Sequence, residues 1–261
     1  MRIEQITSAQ NPKIKNLLLL QEKSKARREQ GLFVVEGRRE LEHCLEAGFR
    51  VRTLFVCPEL VNSVSEGAFP HVIEIPEALY RKVAYRESTE GVIAEVECRD
   101  LGLEDLKPGD RPLIVVLEAV EKPGNLGAVL RSADAARADA VLICDPLTDL
   151  YNPNLIRASL GGVFTVPTVC TTSEKAIAWL RARGIRILTA QLQDSSWYYD
   201  TDMTGGTALV MGTESTGLTP VWREAADAHI RIPMLGRLDS LNVSVSAAIL
   251  LFEAVRQRNA I

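Results

Sequence analysis

Three segments of this 261-residue chain carry residue types suited to polar, anionic substrates. The first runs Glu118-Ala-Val-Glu-Lys-Pro-Gly-Asn-Leu-Gly127 and continues through Arg131 to Asp134. Asn125 and Arg131 stand six positions apart, about 600° around a helix, so their side chains diverge by roughly 120°. Arg131 lies among small residues, Ala128, Ser132 and Ala133. Its guanidinium is always charged and needs a carboxylate or a phosphate. A phosphate makes Arg131 a substrate ligand, whereas an ion pair with Asp134 or Asp145 makes it structural. The second segment is Gly212-Thr-Glu-Ser-Thr-Gly217-Leu, following an apolar run. Its glycines let backbone approach a ligand closely. Equally, it reads as a strand–loop–helix turn with Glu214 in the first helical turn, where the dipole favours an acid. The third is Ile232-Pro-Met234-Leu-Gly-Arg-Leu-Asp-Ser240-Leu-Asn242-Val-Ser-Val-Ser246. Asp239 or Ser240 is placed to cap the closing helix. Ser240, Asn242, Ser244 and Ser246 alternate with apolar residues, which suits a polar ligand pocket or capping with small-residue packing.

Several other chemistries lack their signatures. The chain has no phosphate-cradling G-x-x-x-x-G-K-[ST] and no G-x-G-x-x-G after a strand. It has no nucleophile elbow G-x-S-x-G. His43, His71 and His229 are scattered without metal-ligand spacing, so no metal is expected. Trp197-Tyr-Tyr199 forms an aromatic cluster that can stack on a base, although a core or interface role suits it better.

These segments need a scaffold. Leu113–Leu117 and Ala140–Cys144 are continuous apolar runs, the mark of strands buried on both faces. Ile185–Ala190 and Thr207–Met211 read as further strands, and helices are expected at 126–138, 173–183 and 241–258. Strands alternating with helices predict a parallel α/β sheet, with ligands at the carboxyl ends of its strands. Upstream, strands at 32–35, 51–57, 72–75 and 91–96 predict a small α/β unit, with a helix capped by Ser8 and another over 36–47. Asp105-Leu-Lys-Pro-Gly-Asp-Arg-Pro112 is the best linker signal. The expected division is therefore 1–105, a linker at 106–112, and 113–261.

The formal net charge is −4, but residues 1–52 hold eleven Lys+Arg against seven Asp+Glu, leaving −8 for the remainder. A basic segment on an acidic body reads either as a footprint for polyanions or as a solvated helical face. Apolar stretches fall far short of the ~20 residues of a membrane span. The N-terminus lacks an apolar signal region. Five cysteines without a C-x-x-C predict reduced thiols and a cytoplasmic protein.

Taken in order, Asn125-x-Gly-x-x-x-Arg131, Gly212-x-Glu-x-x-Gly217-Leu and Ile232-Pro-Met-x-Gly-x-x-x-Ser-Leu-Asn-Val-Ser-Val resemble the three motifs of the SpoU (TrmH) branch of the SPOUT RNA methyltransferases. The resemblance covers roughly 113–258. Ser8-x-x-Asn-Pro-x-Ile-Lys15 with Phe33-x-Val-Glu-Gly37 resembles, more loosely, the accessory RNA-binding domain of ribosomal-RNA members, a small ribosomal-protein-like α/β fold. The resemblance implies a C-terminal trefoil knot, bound S-adenosylmethionine, a homodimer, and methyl transfer to a ribose 2′-hydroxyl of RNA, with ribosomal RNA favoured over transfer RNA. It implies Asn125, Arg131, Glu214, Ser240 and Asn242 as catalytic residues. Gly212, Ile232, Met234, Leu241 and Val243 would hold the cofactor. Lys13, Lys15, Lys25, Arg27, Arg28 and Arg38 are the expected phosphate contacts. A guanidinium pKa above ~12 makes Arg131 a poor free base. Its expected role is to bind the neighbouring phosphate and stabilise developing alkoxide. The competing readings are a non-catalytic RNA-binding or ribosome-assembly factor, a transfer-RNA 2′-O-methyltransferase, and a methyltransferase acting on a base, protein or small molecule.

Overall fold

A computed structural model describes residues 2–61, 69–85, 90–213 and 216–259. Two compact units emerge: Met1–Arg99 with Tyr151–Thr165, and Asp100–Leu150 with Val166–Ile261. The boundary thus precedes the expected linker. The reason is apolar: Leu101, Leu103 and Leu106 pack into the core of the second unit.

The first unit contains β1 (Arg2–Gln5), α1 (Pro12–Glu22), α2 (Ser24–Gln30), β2 (Leu32–Glu36), α3 (Arg38–Glu46), β3 (Val51–Val56), β4 (His71–Glu74), α4 (Glu77–Val83) and β5 (Val92–Glu97). Its sheet runs β1-β4-β3-β5-β2, with β5 antiparallel to both neighbours. Ile14, Leu17 and Leu20, spaced three apart on α1, are fully buried with Phe55, Ile73 and Ile93 of the sheet. Asn11, not Ser8, caps α1: its Oδ1 accepts the Lys13 N–H at 2.9 Å, with Pro12 preset at the first helical position. Ser8 Oγ instead accepts from Gln10 N at 3.2 Å in the preceding turn.

Two basic residues of this region are engaged internally. Arg27 is 2% exposed and donates Nη1 to Leu20 O at 2.6 Å and Gln21 O at 3.1 Å. It satisfies the carbonyls that end α1, which corrects its assignment as a phosphate contact. Lys13 pairs with Glu4, and the ammonium holds that carboxyl below the usual carboxylate range. Lys15, Lys25, Arg28 and Arg38 are exposed, Lys25 lying 3.7 Å from Glu29 one turn on.

Glu95 on β5 faces Thr53 of β3 and is 7% exposed. Burial pushes its carboxyl up, outweighing the hydrogen bonds from Thr53 and Asn16 and the charges of Arg52 and His71. An acid raised in the fold stabilises only while protonated. That contribution is full below the ordinary value of 4.5 and is lost as pH rises through the folded value. Glu95→Gln is therefore expected to raise the melting temperature at neutral pH by about 2–4 °C. The gain should vanish in melts run below about pH 4.

The second unit opens with β6 (Leu113–Glu118), α5 (Pro123–Ala135) and β7 (Ala140–Cys144). The chain then contributes α6 (Pro153–Ser159) and α7 (Gly162–Thr165) to the first unit, where Tyr151 stacks on Phe33 at 4.2 Å and Phe164 at 5.9 Å. The expected second unit, an unbroken 113–261, is thus interrupted. It resumes with β8 (Thr168–Thr171), α8 (Ser173–Ala182), β9 (Arg186–Ala190), β10 (Ser196–Trp197), β11 (Thr207–Met211), α9 (Pro220–Ala225), β12 (Ala228–Arg231) and α10 (Val243–Asn259). The sheet is wholly parallel, in the order β10-β12-β9-β11-β6-β7-β8. Its central strands β6, β7 and β11 are buried throughout. α5 starts at Pro123, earlier than expected, so Asn125 lies in its first turn. α10 packs against α5 and β11. Arg258 near its end donates to the carbonyls of Arg111, Pro112, Met203 and Gly205 at 2.7–3.1 Å. No helix among the described residues is long and apolar enough to cross a membrane.

Candidate active site

Three neighbouring strands, β12, β9 and β11, end at one cleft of ≈ 400 Å³, within the range of small-molecule sites. Ala190, Met211 and Ile230–Arg231 mark those strand ends. All five expected cofactor residues line it: Gly212, Ile232, Met234, Leu241 and Val243. Ser240 lines it too. The walls mix apolar side chains with polar ones, and Arg223, Arg231 and Asp239 supply charge.

The Gly212 loop folds on itself. A Cβ at 212 would sit 2.3 Å from the carbonyl carbon and oxygen of Gly217, so only glycine fits. Gly217 takes a left-handed φ of +68° and its N–H donates to Thr213 O at 3.0 Å. The space that glycine opens at 212 is thus filled by the loop rather than held for a ligand. Gly212→Ala is expected to displace the loop and weaken cofactor binding about tenfold or more, with a smaller loss of stability. Calorimetry with S-adenosylmethionine reads the first effect; unchanged affinity would mean the loop does not shape the cleft. Glu214, the carboxylate expected between these glycines, lies outside the described residues.

Asn242 joins the first and third segments. Its Nδ2 donates to Asn125 Oδ1 at 3.1 Å, linking the starts of α10 and α5. Its Oδ1 accepts from Ser244 N at 3.0 Å and Ser244 Oγ at 2.6 Å, so Asn242 caps α10. The expected caps do otherwise: Ser240 Oγ bonds Asp239 Oδ1 at 3.2 Å, before the helix begins. Arg131 is exposed on α5 and is not among the cleft residues. No carboxylate among the described residues pairs with it; Asp145 instead accepts from Ser173 Oγ at 2.6 Å.

Two contributors escaped the sequence reading. Glu118, at the end of β6, is 3% exposed. Its carboxylate accepts Thr219 N at 2.8 Å and Thr219 Oγ1 at 2.6 Å, with Ser173 Oγ 3.5 Å away. Trp222 Nε1 donates to that same Ser173 hydroxyl at 2.8 Å. Thr219 starts α9, so Glu118 fixes the point where the cleft loop ends. Gln191 lines the cleft, and its Oε1 is buried without a hydrogen-bond partner among the described residues. Only a carboxylate closing an apolar strand hinted at Glu118; nothing local marked Gln191. Trp197 lies beneath the Arg231 guanidinium at 4.3 Å, while Tyr199 remains exposed. No group of three or more His, Cys, Asp or Glu among the described residues is arranged to hold a metal.

Comparison with known proteins gives the same picture. Residues 112–252 match the SpoU rRNA Methylase family, and residues 11–94 match the MRM3-like substrate binding domain. The chain is 36% identical over 202 residues to 23S rRNA (guanosine-2'-O-)-methyltransferase RlmB of Ralstonia nicotianae, covering 76% of this chain and 81% of that one. It is 29% identical over 252 residues to 23S rRNA (guanosine(2553)-2'-O)-methyltransferase RlmP of Bacillus subtilis, covering 96% and 98%. The crystal structure of an AdoMet-bound rRNA methyltransferase from Sinorhizobium meliloti superimposes with a TM-score of 0.88 at 32% identity, over 97% of this chain and 98% of that one. By motif, fold and cleft, the chain belongs to the SpoU rRNA methylase family.

Proposed function

We propose that this protein transfers the methyl group of S-adenosylmethionine to a ribose 2′-hydroxyl of RNA, and that the RNA is ribosomal. The observation that carries the reading is the cleft itself: all five expected cofactor residues meet at the carboxyl ends of three parallel strands. The names of the relatives support ribosomal over transfer RNA. The residues fit S-adenosylmethionine. Leu241, Val243, Ile232 and Met234 offer apolar walls for adenine, and the buried Gln191 Oε1 lacks a donor that a hydroxyl or amino group supplies. Arg223 and Asp239 offer both charge signs for the amino-acid end.

The bound cofactor supplies an activated methyl on a sulfonium leaving group. The chain's residues do the rest. Arg131, exposed and without a carboxylate partner among the described residues, grips the phosphate beside the target ribose through its planar fork. From there it stabilises the 2′-oxygen as that oxygen gives its proton to a phosphate oxygen or water. Asn125 and Asn242, bonded to each other, fix the starts of α5 and α10. Ser240 and Glu214 orient the nucleotide.

Three further features belong to this reading. β11 lies between β6 and β9, β12 lies beyond β9, and α10 crosses back to β11 and α5, an order that suits the trefoil knot of the family. Val245 and Phe252, seven residues apart on α10, are 46% and 48% exposed and suit a second copy of the chain. Among the described residues no cysteine forms a disulfide, as suits the cytoplasm.

The test is transfer of tritiated methyl to total ribosomal or total transfer RNA, with nuclease digestion to locate the label. Label on a 2′-O-methyl nucleoside from ribosomal RNA is expected. Label on transfer RNA alone would overturn the substrate, and absence of cofactor binding would overturn the enzyme. Substrate RNA affinity should also fall steeply with salt, about tenfold for each doubling of ionic strength if Lys15, Lys25, Arg28 and Arg38 neutralise four phosphates. A flat salt profile would remove these residues from the interface.

A further inference from the structure

The first unit holds a groove of ≈ 490 Å³ between the start of α1 and three strands of its sheet. Lys13 and Asn16 of α1, Arg52 and Thr53 of β3, His71 of β4 and Glu95 of β5 line it. The rim is cationic: Arg52 is exposed, and so is Lys13 despite its bond to Glu4. The floor is not. Glu95 is more than nine-tenths buried, and its carboxylate makes no ion pair among the described residues. Asn16 Nδ2 donates to its Oε1 at a long 3.3 Å, and Thr53 donates as well. A carboxylate has about four lone-pair positions. Two donors leave lone pairs of the carboxylate open to a further donor, which would offset the cost of holding a charge there.

The missing partner must offer adjacent N–H donors on a flat edge and carry negative charge for the rim. Guanine does so: its N1–H and N2–H₂ stand side by side, on a ribose phosphate. Adenine and cytosine place a ring acceptor beside their amino group, and uracil flanks its single N–H with two carbonyls. An acceptor held against a carboxylate is repelled. We propose that this groove binds a guanine nucleotide of single-stranded RNA, with Glu95 accepting from N1–H and N2–H₂ and with Lys13 and Arg52 meeting the flanking phosphates. The proposal rests on the reading of RNA as substrate. It adds a base preference in the first unit, separate from the methyl-transfer cleft. Burial that lifts the Glu95 carboxyl also means the fold carries this residue at a stability cost, as functional residues often do.

Fluorescence anisotropy of the full-length protein with labelled pentaribonucleotides tests it. The probes are AAGAA, AAAAA, AACAA, AAUAA and an inosine version that keeps N1–H and loses the 2-amino group. AAGAA is expected to bind about tenfold more tightly than AAAAA, with inosine between them. Glu95→Gln should abolish that preference, weakening AAGAA about tenfold. Arg52→Ala should weaken all five about equally and keep the preference. Equal affinities for the five probes, a preference that survives Glu95→Gln, or no binding of any probe would each overturn the proposal. Methyl transfer measured alongside separates the two readings. Transfer without the guanine preference sinks only the groove; the preference without transfer sinks only the enzyme.

Discussion

Arg131→Lys should lower the rate of methyl transfer about 10²–10³-fold while leaving S-adenosylmethionine affinity essentially unchanged. The separation follows from position: Arg131 is exposed on α5 and does not line the cofactor cleft, so its loss subtracts nothing from that binding. Lysine keeps the charge but not the planar fork that grips a phosphate at two points. Single-turnover rates with saturating cofactor, beside calorimetric affinities, read both halves. Near-normal turnover in the lysine variant would sink the bidentate role and leave Arg131 as a general counter-charge. Weaker cofactor binding would place it inside the cleft after all.

Glu118→Ala is expected to weaken cofactor binding about tenfold or more and to cost about 2–4 kcal/mol of stability. The carboxylate is buried and accepts two hydrogen bonds from Thr219, the residue that starts α9 directly after the cleft loop. Removing it strands the Thr219 N–H and hydroxyl and frees the loop's far end. Glu118→Gln retains an acceptor and should fall between, which distinguishes a loop anchor from a general packing loss. If the alanine variant binds cofactor with wild-type affinity, the anchor is irrelevant to the cleft whatever its stability.

The strands that could be read from sequence are those buried on both faces. Leu113-Ile-Val-Val-Leu117 and Thr207–Met211 are apolar because helices cover both sides of the sheet centre. The missed strands lie toward edges. β12 buries only Ile230, β10 has two residues, β8 buries only its first two residues, and β1 edges the first sheet. The site was legible as types and spacings, less so as contacts. The cap of α10 was misplaced because Asp239 and Ser240 satisfy each other locally while Asn242 does the capping. Asn242 and Asn125 meet across 117 residues, and Glu118 and Thr219 across 101, which no local pattern reveals. Arg27 misled for the opposite reason. A charge in a basic run looks solvated, yet two helix-terminal carbonyls had claimed it.

The first unit is discontinuous, since Tyr151–Thr165 completes it around Phe33. This sets an order of events during synthesis. The N-terminal strands emerge early, but the aromatic cluster on Phe33 cannot close until Thr165 has left the ribosome, after β6 and β7 are already exposed. The nascent first unit must therefore wait with that apolar surface uncovered, within reach of chaperones. For the same reason the unit has no clean genetic boundary. A truncation at Arg99 removes its sheet and leaves α6 and α7 behind without the partner they pack on. A single proteolytic cut at 106–112 does the reverse: the severed N-terminal piece stays held by the side chains of Tyr151 and Phe164 instead of by the chain.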